Sequence, residues 1–447
     1  VTHTERLPRT IGLFSAIAVI VGTTIGSGIF RVPATVAGRL GEPGPIMLAW
    51  VLGGALALFG ALTLAELAAM SPRSGGLFAY IDDAFGPLPA FLFGWAQLAV
   101  IRASALGGIS TIFAEYFGYF VPLGEGIAIG PVTIGGVNLA AAITILVVAT
   151  VNYLGVKYAA RVMGVATIAK YAGMIGLVLL AFAAGQGDWG NFSGSGTTAF
   201  SISMVASALV SIMWAYDGWA DLSFIGGEIK NPGRNFPLAL IFGTILIIAA
   251  YLLLNAAYIY LVPVPEMAGQ RLIAATAAER IPLLGGAGAA VVSAIVMISC
   301  FGTLNGSMLT NPRIFFAMAD RGLFFKGVAR VSPRFQTPSV AIWLAAALGC
   351  AYVLFNDFQQ LADRFVLGIW PFYILAILGV FALRKKAPNA DRPYRTIGYP
   401  VVPIVFLLAA TGMVVNALVT DPVNTGVTFG ILLTGLPIYY ATIGRRR

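Results

Sequence analysis

The sequence predicts an all-α, polytopic membrane protein with twelve transmembrane helices. Of its 447 residues, 59% are hydrophobic and only 10% charged. Apolar stretches of roughly 20 residues, enough to cross a hydrocarbon core of about 30 Å, recur along the whole chain. The first and sixth of these are interrupted near their middles. Two interrupted segments five spans apart point to inverted repeats built from spans 1–5 and 6–10, with a binding site at the bilayer midplane and spans 11 and 12 peripheral.

Span 1 (11–37) contains "VGTTIGSGIF", residues 21–30, with Gly22, Gly26 and Gly28 at its centre. A Gly inside a helix costs about 0.5–1 kcal/mol relative to Ala. Spans 2 to 5 follow at 44–70, 84–113, 138–156 and 162–184; span 3 carries Arg102 and span 5 carries Lys170. Span 6 (200–226) is broken by "WAYDGW", residues 214–219, which sets Asp217 at membrane depth. Such breaks are tolerated where unwound backbone lines a cavity rather than lipid. Spans 7 to 12 lie at 236–261, 287–319, 338–356, 361–384, 400–419 and 424–443. The two cysteines, Cys300 and Cys350, fall in spans 8 and 9 and read as packing residues. The organisation is thus a tail (1–10), a first repeat (11–184), a second repeat (185–384), and helices 11 and 12 with the C-terminus (385–447).

Among the connectors, 71–87 reads as a turn and a short amphipathic helix, "NPGRNFP" (231–237) as a tight turn, and 263–282 as a helical cap. The basic stretch 383–400 reads as a solvated connector that could also hold anionic lipid headgroups.

The net charge of +9 reflects topology rather than nucleic-acid binding. Of 27 Lys and Arg residues, 20 fall on the side of both termini, which the positive-inside rule makes cytoplasmic. Span 1 is too long for a signal-peptide core and is read as a retained spanning helix.

Several chemistries lack their residues. No Gly-Lys dipeptide occurs, so the phosphate-binding loop of ATP-driven machines is missing. The one histidine, His3, lies in the tail, which removes His-based nucleophilic catalysis and most zinc sites. An intramembrane enzyme would have to run on carboxylates or Ser-Lys pairs, and the ring-forming polar residues of a pore are not evident. A carrier remains, with no catalytic residue, metal or cofactor expected.

A broken helix offers a carrier specific chemistry. The N-terminal end of the half-helix after Ser27 and Gly28 presents free N–H groups to a carboxylate. Carbonyls near Gly22 to Ile25, and around Trp214 and Ala215, can accept from an ammonium group. Together they suit an α-amino acid zwitterion, approached through glycine backbone. Lys170 either snorkels to the interface, braces spans 1 and 5, or exchanges a proton. Asp217 either caps backbone N–H groups or meets a cation. Arg102 is read as a structural partner of a carbonyl or acid, Glu66 and Glu228 as braces, and Trp214 and Tyr216 as either core aromatics or rings closing over a substrate.

These motifs, taken in order, resemble the amino acid–polyamine–organocation transporters, and within them a prokaryotic member of the L-type amino acid transporter branch. The resemblance rests on "GTTIGSGIF", "PRSGG" (72–76), "WAYDGW" with "GGEIKNPGRNFPLA", "WAQLAVIRAS" (95–104), "SCFGTLNGSMLTNPRIFFAMADRG" (299–322) and "TGVTFGILLTGLPIYY" (425–440). It implies a leucine-transporter-like fold and alternating access around a central amino-acid site. The helix 1 residues it implicates are Thr24, Ile25, Gly26, Ser27, Gly28 and Ile29. Those in helix 6 are Trp214, Ala215, Tyr216, Asp217 and Gly218, with Trp214 as the gating aromatic. Lys170 falls on a lysine that replaces sodium in similar sodium-independent members. Animal members carry a cysteine between helices 3 and 4 that bonds a glycoprotein; residues 114–137 contain none, so no disulfide-linked heavy chain is expected. Gly227 replaces the first acid of a frequent Glu-Glu pair, and Asp217 stands where many neutral-amino-acid members have Gly or Ser.

The expected activity is therefore sodium-independent exchange of L-amino acids across the plasma membrane. Proton-coupled symport is the alternative, and an amino acid sensor without net transport is the alternative of another class.

Overall fold

The computed structural model describes residues 9–72, 75–129, 132–194, 201–320, 327, 330–335 and 337–442. The tail through Pro8, Arg73 and Ser74 of "PRSGG", and the basic residues Arg321, Lys326 and Arg445 to Arg447 lie outside them.

The first apolar stretch forms α1 (Leu13–Thr24), a 3-10 turn (Gly28–Phe30) and α2 (Val32–Leu40), ended by Gly41 in the left-handed region at φ 68°. The long α3 (Pro43–Met70) follows, opened by Pro at its first positions where no intrahelical donor is needed. The amphipathic helix expected after it is α4 (Gly76–Phe85). Span 3 comprises α5 (Pro87–Ala96), a π-turn (Gln97–Ile101) and α6 (Arg102–Phe117). Gln97 at the start of the π-turn accepts from Arg102, the first residue of α6, at 2.7 Å.

A small antiparallel hairpin, Ile127–Ile129 with Val132–Ile134, lies in the following loop. Next come α7 (Gly136–Leu154), α8 (Val156–Ala184), α9 (Ile202–Tyr216) and α10 (Pro232–Leu261). The turn expected at 231–237 is corrected: only Asn231, at φ 45°, turns, and Pro232 already begins α10. Proline is compatible with a first helical position because its missing N–H has no partner there.

The helical cap is α11 (Val264–Met267) and α12 (Ile273–Glu279). The chain ends with α13 (Gly288–Asp320), α14 (Ser339–Phe355), α15 (Phe358–Lys386), α16 (Val401–Thr420), α17 (Pro422–Leu433) and α18 (Gly435–Thr442).

The protein is thus an all-α, polytopic membrane protein. Eight helices among the described residues are long and apolar enough to cross a membrane. The other four predicted stretches hold shorter helices of 12, 15, 17 and 12 residues: α1, α9, α14 and α17. Breaks shorten the first two, and Thr434 interrupts the last. The core is continuous: α10 packs on α3 and α1, and α13 on α8 and α6. Such packing buries the polar positions of these helices away from lipid.

Candidate functional site

The first break begins where Gly26 and Gly28 weaken the helix. The Ile25 N–H still bonds the Val21 carbonyl at 2.9 Å, but its ψ of 90° turns the chain out of the helix. Phe30 and Arg31 N–H groups return to the Ser27 and Gly28 carbonyls at 3.2 and 3.1 Å. Among the described residues, the N–H groups of Ser27, Gly28 and Ile29 have no acceptor and the carbonyls of Ile25 and Gly26 no donor. Residues 24–30 are all buried. Buried backbone groups without partners are rare in folded proteins, and five of them stand together here. The break is longer than expected, because a 3-10 turn precedes α2.

The second break follows Tyr216. Asp217 is extended at ψ 150° and Gly218 lies at φ +119°, a region that side chains disfavour. Contact also requires glycine there: a Cβ would lie 2.7 Å from Thr24 Oγ1 and 2.8 Å from its Cα. The Thr23 hydroxyl, whose nearest acceptor is the Val19 carbonyl at 2.9 Å, also lies 3.4 Å from the Gly218 carbonyl. The two breaks therefore touch. At Gly28 a Cβ would come within 2.9 Å of both Ala215 Cα and Trp214 Cδ1, so this glycine admits α9 rather than open space.

Lys170, from α8, donates to the Gly22 carbonyl at 2.9 Å and so takes up one of the acceptor positions at the end of α1. The Thr24 and Ala215 carbonyls lie 3.0 and 2.9 Å from the Tyr251 hydroxyl of α10. One phenol thereby bridges both breaks. Sequence reasoning missed Tyr251; its signal was a phenol inside an apolar span, which must find an acceptor.

The side chains of the second break point in different directions. Trp214 is buried against Gly108 and meets Phe358 and Phe365 edge-on at 5.7 and 5.0 Å. Tyr216 faces α3: its hydroxyl donates to the Trp50 carbonyl at 3.2 Å and its ring packs on Trp50 and Tyr251. Its ring is buried in the core. Asp217 accepts from the Tyr373 hydroxyl of α15 at 2.7 Å, in the electrostatic reach of Asp221 and Arg102.

Polar clusters stand on either side of the breaks. On one, Glu115 of α6 pairs with Arg31 at 2.9 Å and with Arg271 at 3.9 Å, while the Arg31 guanidinium lies 5.4 Å from the Phe358 ring centroid. Tyr116 donates to the Phe30 carbonyl at 3.0 Å. On the other, the fully buried Glu66 accepts from Arg384 Nε and Nη2 at 2.8 and 2.7 Å and from the Thr396 N–H and hydroxyl at 2.8 Å each. Arg392 lies 3.5 Å away. There the Ile11 N–H also bonds the Glu228 carbonyl at 3.0 Å, and the Lys230 N–H bonds the Ile11 carbonyl at 2.8 Å.

A family model described as amino acid permease matches residues 11–443. The chain is 32% identical over 450 residues to the serine/threonine exchanger SteT of Bacillus subtilis, covering 99% of each chain. It is 34% identical over 426 residues to the b(0,+)-type amino acid transporter 1 of Homo sapiens, covering 94% of this chain and 84% of the relative. To the human cystine/glutamate transporter it is 32% identical over 445 residues, covering 98% and 86%.

Proposed function

The chain belongs to the amino acid permease family, and from that premise we propose that it is a sodium-independent exchanger of L-amino acids, of the L-type branch, working by alternating access in the plasma membrane. The observation that carries this reading is the group of unpaired backbone N–H and carbonyl groups at Ile25 to Ile29. A ligand carboxylate fits the N–H groups of Ser27, Gly28 and Ile29; its ammonium fits the carbonyls of Ile25 and Gly26. Thr24, Ala215 and Gly218 shape the floor, and Trp214 is the aromatic that closes the site.

Lys170 supports sodium independence, since its ammonium already neutralises the carbonyl end of α1 where a metal ion would otherwise be held. The touching breaks support a leucine-transporter-like arrangement of twelve spans in two inverted repeats, 11–184 and 185–384, with 385–447 outside them. Charge bias supports cytoplasmic termini.

Purified protein in liposomes tests the proposal. Uptake of labelled amino acid stimulated at least several-fold by internal unlabelled amino acid is expected; saturable binding without uptake would instead indicate a sensor. The half-buried Asp217, hydrogen-bonded to Tyr373 beside Asp221, favours one second reading, proton-coupled uptake. Accumulation driven by a pH gradient into empty vesicles would select it. Substitution Asp217→Gly, compared for arginine against alanine, tests whether this acid selects cationic cargo.

A further inference from the structure

The connector 387–400, between α15 and α16, folds back against the bundle. Arg392 donates to the Leu383 and Ala387 carbonyls at the end of α15 at 3.2 and 2.9 Å, and the Thr396 N–H and hydroxyl both reach Glu66 of α3. Pro393 packs on the first turn of α10, where a Cβ at Gly233 would lie 2.6 Å from the proline Cβ. Exposure then alternates along the connector: Arg392, Tyr394 and Thr396 turn inward, and Pro393, Arg395 and Ile397 turn outward.

The cations at this corner divide into two groups. Arg384 is bound by Glu66, Arg392 by the carbonyls, and Lys386 by the Ala84 carbonyl at 2.7 Å, beside the exposed Asp82 and Asp83 of α4. Lys385 and Arg395 are exposed, and their side chains make no hydrogen bond or ion pair among the described residues. Lys385 lies one turn beyond Phe381, whose ring meets Tyr399 at 5.2 Å, so it stands on the Tyr399 side of α15. Beside Tyr399 is an apolar ledge, with Ile397 and Val401 59% and 64% exposed. From Val401 it continues along α16 as an exposed stripe through Ile404, Val405 and Leu408, at helical spacing.

We propose that this corner binds one anionic phospholipid, with its phosphate held by Lys385 and Arg395 and its acyl chains laid along Val401 and Leu408. A positive rim at the head of an apolar stripe, where one span ends and the next begins, matches both halves of such a molecule. A soluble phosphate would leave the stripe uncovered, and an uncharged lipid would leave the two cations without a partner. The Arg384 guanidinium lies 3.6 Å from the Tyr399 ring centroid, so the lipid rests against the residue that also binds Glu66. Occupancy thereby holds the connector against α3 and α10. With cytoplasmic termini the site lies in the inner leaflet. The inference goes beyond the carrier reading and does not depend on it.

Thermal unfolding of the purified full chain in detergent tests it, with dioleoylphosphatidylglycerol, dioleoylphosphatidylcholine or inorganic phosphate added. The anionic lipid is expected to raise the midpoint by several degrees, and the other two to leave it unchanged. Lys385→Gln combined with Arg395→Gln should abolish that shift while keeping the lipid-free midpoint, since neither side chain has a protein partner to lose. The same charge removed from the exposed Arg330 and Arg334 of a different connector, as Arg330→Gln with Arg334→Gln, should leave the shift intact. An equal shift with phosphatidylcholine overturns the recognition of charge, and an equal shift with inorganic phosphate overturns a lipid as the occupant. Loss of the shift in both double variants, or in neither, overturns its placement at this corner. No shift with the anionic lipid overturns the site altogether.

Discussion

Lys170 shows how one side chain decides what a broken helix can accept. Its ammonium bonds the Gly22 carbonyl across a sequence separation of 148 residues, so the end of α1 is already neutralised by the protein. A hydrogen bond from a charged donor contributes about 1.5–3 kcal/mol. Lys170→Ala is expected to cut exchange by at least tenfold in proteoliposomes while the protein still elutes as a single folded species; wild-type rates would remove Lys170 from the mechanism. Glu66 is the structural counterpart. Glu66→Ala strands Arg384 and Arg392 beside a buried space, at a cost of about 3 kcal/mol, the usual scale for removing one partner of a buried ion pair. Its midpoint of thermal unfolding in detergent should fall by several degrees, and an unchanged midpoint would show that water replaces the carboxylate at no cost.

At the level of elements, glycines that look alike in "VGTTIGSGIF" and "WAYDGW" do different work. A Cβ at Gly26 meets Thr303 at 3.5 Å, an ordinary contact, whereas one at Gly218 meets Thr24 at 2.7 Å with φ at +119°. Gly26→Ala is therefore expected to fold normally and lose amino-acid binding, because the methyl group projects from backbone that the ligand must approach. Gly218→Ala is expected to lose binding and thermal stability together, because the two breaks can no longer touch. Equal thermal midpoints for the two variants would contradict this division. The same elements explain the shortfall in long helices: the twelve residues of α1 and fifteen of α9 are too few to cross a bilayer alone.

For the whole molecule, the Glu115 cluster and the Glu66 cluster lie on opposite sides of the breaks, so both routes to the site are tied by ion pairs in this conformation. Alternating access requires each to open in turn. Their assignment to membrane faces is checked by labelling intact cells with a membrane-impermeant maleimide, in a background lacking Cys300 and Cys350. Glu125→Cys, in an exposed loop, should react from outside; Asn389→Cys should react only after permeabilisation. The opposite pattern would invert the topology.

Hydropathy and glycine placement determined the helical membrane class and the two broken stretches, because burial in lipid imposes a composition and backbone exposure in a helix imposes glycine, and the ordered motifs pointed to the family. They also singled out Lys170, whose charge is conspicuous in an apolar span. The partners were decided only by the fold. That Tyr251 spans both breaks, that Tyr216 turns into the core, and that Asp217 meets Tyr373 depend on helix rotation and on contacts across 36 to 227 residues. A nearly uniform apolar helix carries little periodic signal of which face its few polar groups present. The direction of each group is therefore set by the neighbours that satisfy its hydrogen bonds, and only the assembled bundle supplies them.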